Sequence, residues 1–277
     1  MKRRSFITLL GGAAGWPLAA RAQQPERMRR IGVLMNLAAD DPQGQARVTP
    51  MVQRLDELGW NVGRNLQIDI RWAAADATQT RRFAADLVAL APDIIVAPTS
   101  AAFEAVRQTT RTVPIVFLNV VDPVGAGFVA SLAHPGGNAT GFTLFEYGLS
   151  AKWLELLKQI APDVKRVAVV RDPSVGSGIG QLAVIQAAAA SFGVEFQPID
   201  VRAPAEIELG VTDFARTPNG GLIVAAAPSM PVHRDLIISL AARYRLPAIY
   251  PFRFLVKSGG LISYGPDLIE PYRRAAA

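Results

Sequence analysis

Polar residues placed where apolar, β-type runs end are the ones positioned to touch a solute. In the first half of this 277-residue chain they are Asn36, Thr99 and Ser100, Asn119 and Asp122, and Thr143. In the second half they are Arg171, Asp172 and Ser174, then Pro228 and Ser229, then Tyr250 to Arg253 and Tyr264 to Asp267. Ser100 opens a helical pattern, where free backbone N–H groups and the positive end of the dipole favour a carboxylate. Asp122 offers a fixed negative charge to an ammonium group. Tyr250, Phe252 and Tyr264 present flat faces to an apolar or aromatic body. An anion-binding end, a carboxylate and an aromatic wall suit an amino-acid-like solute. Each feature also has an ordinary role: Ser100 and Asp122 as helix starts, Tyr250 and Phe252 as core residues.

The elements that must position these residues follow a repeating grammar. Arg30–Asn36, Leu66–Trp72, Asp93–Ala97 and Val113–Leu118 read as strands, separated by helical patterns over Gln45–Leu58, Thr78–Leu90 and Ser100–Thr110. After Asp122-Pro123 a further helical pattern, Val124–Leu132, leads into the loop Pro135-Gly136-Gly137-Asn138 and a strand ending near Thr143. Strands alternating with helices predict a parallel, doubly wound sheet, whose ligands bind outside the carboxyl ends of the strands. The pattern then restarts. Lys165–Asp172, Val194–Ile199, Gly221–Ala225 and Leu246–Tyr250 are strands, and Gly178–Phe192, Ala205–Arg216 and Val232–Tyr244 are helices. Two similar α/β halves predict two Rossmann-like lobes with a cleft between them. The expected division is an N-terminal lobe over 28–142, a hinge crossing at 143–149 and a C-terminal lobe over 150–263. A second crossing and the start of a helix occupy 264–277.

Composition narrows the function classes. The net charge of +6 is concentrated at the N-terminus: without the first 22 residues the balance is 25 basic against 23 acidic residues. No later segment gathers Lys and Arg with interleaved aromatics, so nucleic acid is not an expected partner. With no cysteine and only His134 and His233, neither a disulfide framework nor a clustered metal site is expected. Arg3-Arg4-Ser5-Phe6-Ile7, an apolar stretch to Ala20 and the small-residue site Ala20-Arg21-Ala22 read as a twin-arginine export signal over residues 1–22. The expected location is the periplasm.

Enzyme motifs are poor. Gly176-Ser177-Gly178-Ile179-Gly180 follows a strand and opens a helix as a dinucleotide loop would, but Gln181 stands where its third glycine belongs. There is no phosphate loop of the GxxxxGK[ST] type and no GxSxG nucleophile elbow. No catalytic residue and no cofactor are expected. A doubly wound enzyme using a nucleotide cofactor is the alternative, and a periplasmic sensor feeding a membrane receptor is another.

Longer stretches carry a resemblance. Arg30–Asn36, Leu55–Trp60, Gly63-Arg64-Asn65, Asp122-Pro123-Val124-Gly125 and Pro135–Gly141 resemble the substrate-binding proteins of ABC transporters, of the tryptophan/tyrosine type. Lys152–Lys158 and Ile262–Gly265 are similar to the same family, so the resemblance covers nearly the whole chain after the export signal. It implies a type I periplasmic binding protein, which captures a solute by hinge closure and presents it to a permease and an ATPase at the inner membrane. It also implies that Ser100, Asp122, Thr143 and Tyr264 lie at the ligand cleft. Family members continue past the equivalent of Ala277, so the expected chain lacks the C-terminal return to its first lobe.

Overall fold

The computed structural model describes residues 28–201 and 203–277; the expected export signal lies outside them. The first half folds into β1 (Arg29–Met35), α1 (Pro42–Glu57), β2 (Leu66–Trp72), α2 (Ala77–Ala89), β3 (Ile94–Ala97), α3 (Ser100–Thr109), β4 (Ile115–Val120) and β5 (Ala139–Thr143). The second contains α4 (Leu149–Ile160), β6 (Arg166–Arg171), α5 (Gly176–Ser191), β7 (Glu195–Asp200), α6 (Pro204–Ala215), β8 (Gly220–Val224) and α7 (Arg234–Arg243). It continues with β9 (Ala248–Tyr250), α8 (Arg253–Lys257), β10 (Ile262–Ser263) and α9 (Glu270–Ala275).

Two separate five-stranded parallel sheets result, with orders β2-β1-β3-β4-β5 and β7-β6-β8-β9-β10. The two orders are the same topology repeated. Their central strands are nearly continuous apolar runs, because helices cover both faces of a parallel sheet. Val33, Leu34, Ile95, Ile115, Val167, Val169, Leu222 and Ile223 are all fully buried. Local signals set the helix starts. Asp41, Asp76 and Thr99 accept hydrogen bonds from the backbone N–H groups of Gln43, Gln79 and Ala102, and so cap α1, α2 and α3.

Three expectations are corrected. The helical pattern Val124–Leu132 forms no helix. Gly127 turns at φ +68°, and the N–H groups of Ala126, Phe128 and Val129 fold back onto the carbonyls of Asp122 and Pro123. The cap of α3 is Thr99 and not Ser100: Thr99 is still extended, at φ −156° and ψ 162°. The Ser100 hydroxyl instead accepts a hydrogen bond from the Val121 N–H at 3.2 Å.

The third correction concerns the C-terminal segment, which does return to the first lobe. After β10 pairs in the second sheet, the chain crosses back and α9 packs on α1 and β4. Tyr272 is fully buried there, in the core of Val33, Met35, Val48, Met51 and Leu55. Its hydroxyl approaches Met35 Sδ at 3.9 Å, and burial pushes it up to about 12, with Arg47 drawing it back down. The first passage between lobes runs from β5 to α4, where Phe145 and Trp153 pack edge to face at 5.6 Å in the second lobe's core.

Candidate functional site

The repeated topology decides which residues meet. In each sheet the first and third strands are neighbours, β1 beside β3 and β6 beside β8. Their carboxyl ends therefore lie together, and those ends from the two lobes face each other. Asn36 follows β1 and Thr99 follows β3; Asp172 follows β6, and Pro228 and Ser229 lie beyond β8. All five line one cavity of about 250 Å³ between the lobes, together with Ser174. The structure thus brings Asn36, Thr99 and Asp172 together.

Asp172 organises the second-lobe wall. One carboxylate oxygen accepts from the Ser174 N–H, at 2.9 Å, and from its hydroxyl; the other accepts from the Ser229 hydroxyl at 2.7 Å. Ser229 thus carries the β8 loop to the β6 loop. Nearby His233 is lowered by burial, an effect the Asp172 charge opposes. Polar contacts cross the cleft. Asn36 Nδ2 donates to the Pro228 carbonyl at 2.9 Å, and Arg234 Nη1 lies 3.0 Å from Asp41 Oδ2. Asp41 is also the α1 cap, so the same carboxylate starts a helix in one lobe and holds an arginine from the other.

Deeper in the cleft is a smaller chamber of about 40 Å³, lined among others by Asn36, Arg47, Ser100, Asn119, Ser177 and Phe252. Ser100 contributes here. Arg47 and Ser177 are functional candidates that sequence reasoning missed. Arg47 belongs to the polar-looking helix α1, yet it lies one position from Val48 and four from Met51, on the buried stripe. A charge on an apolar stripe was the available signal. Its burial, to 4% exposure, is completed by α9, whose docking was not foreseen.

Four expected site residues line neither chamber. Thr143 donates its hydroxyl to the Val120 carbonyl at 3.2 Å, joining β5 to β4. Tyr250 is buried in the second-lobe core, which pushes its hydroxyl up to about 12. Tyr264 is 43% exposed, and its carbonyl accepts from Trp153 Nε1 at 2.7 Å. Asp122 stands at φ +39° with its carboxylate on backbone: the Gly125 N–H at 2.7 Å and the Tyr147 N–H at 3.2 Å. Its charge and burial both raise the Tyr147 hydroxyl, burial more. Asp122→Ala removes both bonds, and the expected result is a loss of about 1–3 kcal/mol of stability in a denaturant titration. Solute affinity is expected to stay within about twofold, at the level of altered surface contacts. Unchanged stability with lost binding would instead make Asp122 a ligand contact.

Among the described residues no helix is long and apolar enough to cross a membrane, and no group of three or more His, Cys, Asp or Glu is placed to hold a metal ion. A family model described as ABC transporter substrate binding protein matches residues 31–276. A tyrosine-binding protein of Clostridioides difficile (strain R20291) is 28% identical over 222 residues, covering 78% of this chain and 62% of that protein. The match therefore spans less than two thirds of that relative's length. Among solved structures, a conserved domain protein from Vibrio cholerae superposes with a TM-score of 0.82 at 24% identity, covering 90% of this chain and 83% of that one. The ABC domain in complex with L-Trp from Streptococcus pneumonia gives 0.79 at 23% identity, with 88% and 81% covered. The ligand-free, open structure of a substrate-binding protein with adhesive properties from Clostridium difficile gives 0.59 at 24% identity, with 90% and 82% covered.

Proposed function

Because this chain belongs to the ABC transporter substrate binding protein family, we propose that it captures a small organic solute between its lobes and delivers it to a membrane permease and ATPase. The observation that carries this reading is the cavity of about 250 Å³ walled by strand-end residues of both sheets, Asn36 and Thr99 from one and Asp172, Ser174 and Ser229 from the other. A site divided between two bodies can bind fully only when they close, which couples occupancy to shape. The lobe arrangement supports a closed form. At nearly equal identity and coverage, the chain superposes better on the L-Trp complex than on the ligand-free, open structure, 0.79 against 0.59. Asn36, Thr99, Ser100 and Asp172 are the ligand contacts in this reading, and an amino acid or related compound is the solute. Asp122, Thr143, Tyr250 and Tyr264 support the site from behind. Export by the twin-arginine route and action in the periplasm follow from the N-terminal motif.

The test is a thermal-shift screen against amino acids, aromatic acids, sugars and nucleotides, followed by calorimetry on the hits. One class of small solute is expected to raise the melting temperature, with a fall in radius of gyration on binding. Stabilisation by nucleotides alone would overturn the reading. The cross-lobe ion pair supplies a second prediction. Asp41 and Arg234 are partly exposed, so screening limits their pairing energy to about 1 kcal/mol. Arg234→Met is expected to weaken solute affinity about two- to fivefold, since the pair favours the closed form. Affinity equal to the parent protein's would mean that the pair does not hold closure.

A further inference from the structure

The inner chamber contains a charge problem that the larger cavity does not solve. Arg47 is 4% exposed and makes no ion pair with any described residue. Its Nη2 has no hydrogen-bond partner, although its guanidinium lies near Tyr272 and 6.0 Å from the centre of the Phe254 ring. An uncompensated buried cation costs several kcal/mol unless an anion meets it. Two helices from opposite lobes begin at this chamber, α3 at Ser100 and α5 at Gly176-Ser177, and their ends add positive potential. Two neutral oxygens complete the wall. Asn36 and Asn119, each 6% exposed, use their Nδ2 groups on the carbonyls of Pro228 and Leu268, which leaves Oδ1 of each without a partner. Those bonds also fix the amide orientations, so the unpartnered atoms are acceptors.

A buried guanidinium donor beside two carbonyl acceptors demands a ligand group that is anionic and also carries a donor. We propose that the inner chamber binds the acid end of the solute: a carboxylate paired with Arg47, with a hydroxyl or ammonium on the neighbouring carbon donating to Asn36 and Asn119. The solute is then an α-hydroxy or α-amino acid whose remaining body extends into the larger cavity. The chamber, at about 40 Å³, is much smaller than the neighbouring cavity of about 250 Å³, which suits it to a head group and the larger cavity to the solute body. This assignment rests on the solute-binding reading above and makes Arg47 the residue that selects acids.

Probes of two or three carbons test it. With the full chain, lactate and L-alanine are expected to raise the melting temperature at millimolar concentration, propionate less, and ethylamine not at all. In Arg47→Met the lactate and alanine shifts are expected to vanish, at least about a 30-fold loss of affinity. The unliganded variant is expected to melt no lower than the parent protein, because removing an unpaired buried charge relieves a cost. Asn36→Leu provides a second measurement: lactate falls to the level of propionate, while propionate is retained. A lactate shift that survives in Arg47→Met, or a parent protein indifferent to every carboxylate, would overturn the assignment. If the small acids bind through Arg47 but no larger solute binds better, the transport reading fails and the chamber's chemistry stands.

Discussion

Replacing Tyr272 by alanine is expected to lower the unfolding free energy by about 3–5 kcal/mol, the cost of emptying a large, fully buried aromatic site. Tyr272 is 0% exposed and packs among Val33, Met35, Val48, Met51 and Leu55. It is the largest side chain that α9 commits to the first lobe, where Ala275 and Arg274, the latter 4.5 Å from the centre of the Phe142 ring, add smaller contacts. Its hydroxyl, pushed up to about 12 by burial, stays protonated throughout the ordinary pH range, so the loss should not depend on pH between 5 and 8. The variant should melt on the order of 10 °C lower. Tyr272→Phe separates packing from polarity. Besides the 3.9 Å contact to Met35 Sδ the hydroxyl interacts with Arg47, so that change is expected to cost about 2 kcal/mol, less than the alanine variant. A second effect should accompany Tyr272→Ala. Because α9 covers α1, Arg47 gains solvent, and carboxylate binding in the inner chamber should weaken in parallel with stability. A variant within about 2 °C of the parent protein would show that the return segment is not anchored by this residue.

Tyr272 also marks where sequence reading stops. The two lobes were legible because parallel strands announce themselves locally: Arg30–Asn36 and Lys165–Asp172 are apolar runs with polar ends, followed by helical periodicity and a stop. The cleft followed from that, since strand ends are where ligands sit, and Asn36, Thr99, Asp172 and Ser229 do line one cavity. Side-chain direction was not legible. Asp122 sits at the end of a strand like the others, yet Asn119 and Asp122 both adopt positive φ, at +50° and +39°. That kink turns the carboxylate onto its own backbone and away from the cleft. Val124–Leu132 has helical periodicity, but Gly127 and the returning N–H groups favour tight turns. Arg47 was missed for a different reason. Its burial depends on a contact with residues some 225 positions later in the chain, which no local pattern encodes.

The glycine cluster Gly176–Gly180 gives the last and sharpest case. Its spacing resembles a phosphate-binding turn, but packing accounts for Gly178 and Gly180, while the space beside Gly176 is open. A Cβ on Gly178 would lie 1.9 Å from the Asp172 carbonyl oxygen, a backbone atom fixed at the end of β6. A Cβ on Gly180 would lie 2.4 Å from the Tyr147 ring, at the passage between lobes. The first glycine lets α5 begin directly against the loop that carries Asp172; the second lets it lie against Tyr147. Gly178→Ala must therefore push the start of α5 away from β6. The expected result is a loss of about 3 kcal/mol, at the upper end for overpacking, because backbone cannot turn aside as a side chain can. Gly180→Ala meets a partly buried ring that can shift, and should cost less than Gly178→Ala in the same denaturant titration. Binding should divide the two more clearly. Moving α5 displaces Ser177 from the inner chamber and loosens the Asp172–Ser174–Ser229 bonds, so Gly178→Ala should abolish solute-induced stabilisation even at temperatures where it remains folded. If Gly178→Ala folds and binds normally, α5 is not held by this contact, and the second-lobe half of the site must be positioned by Ser229 and the β8 loop alone.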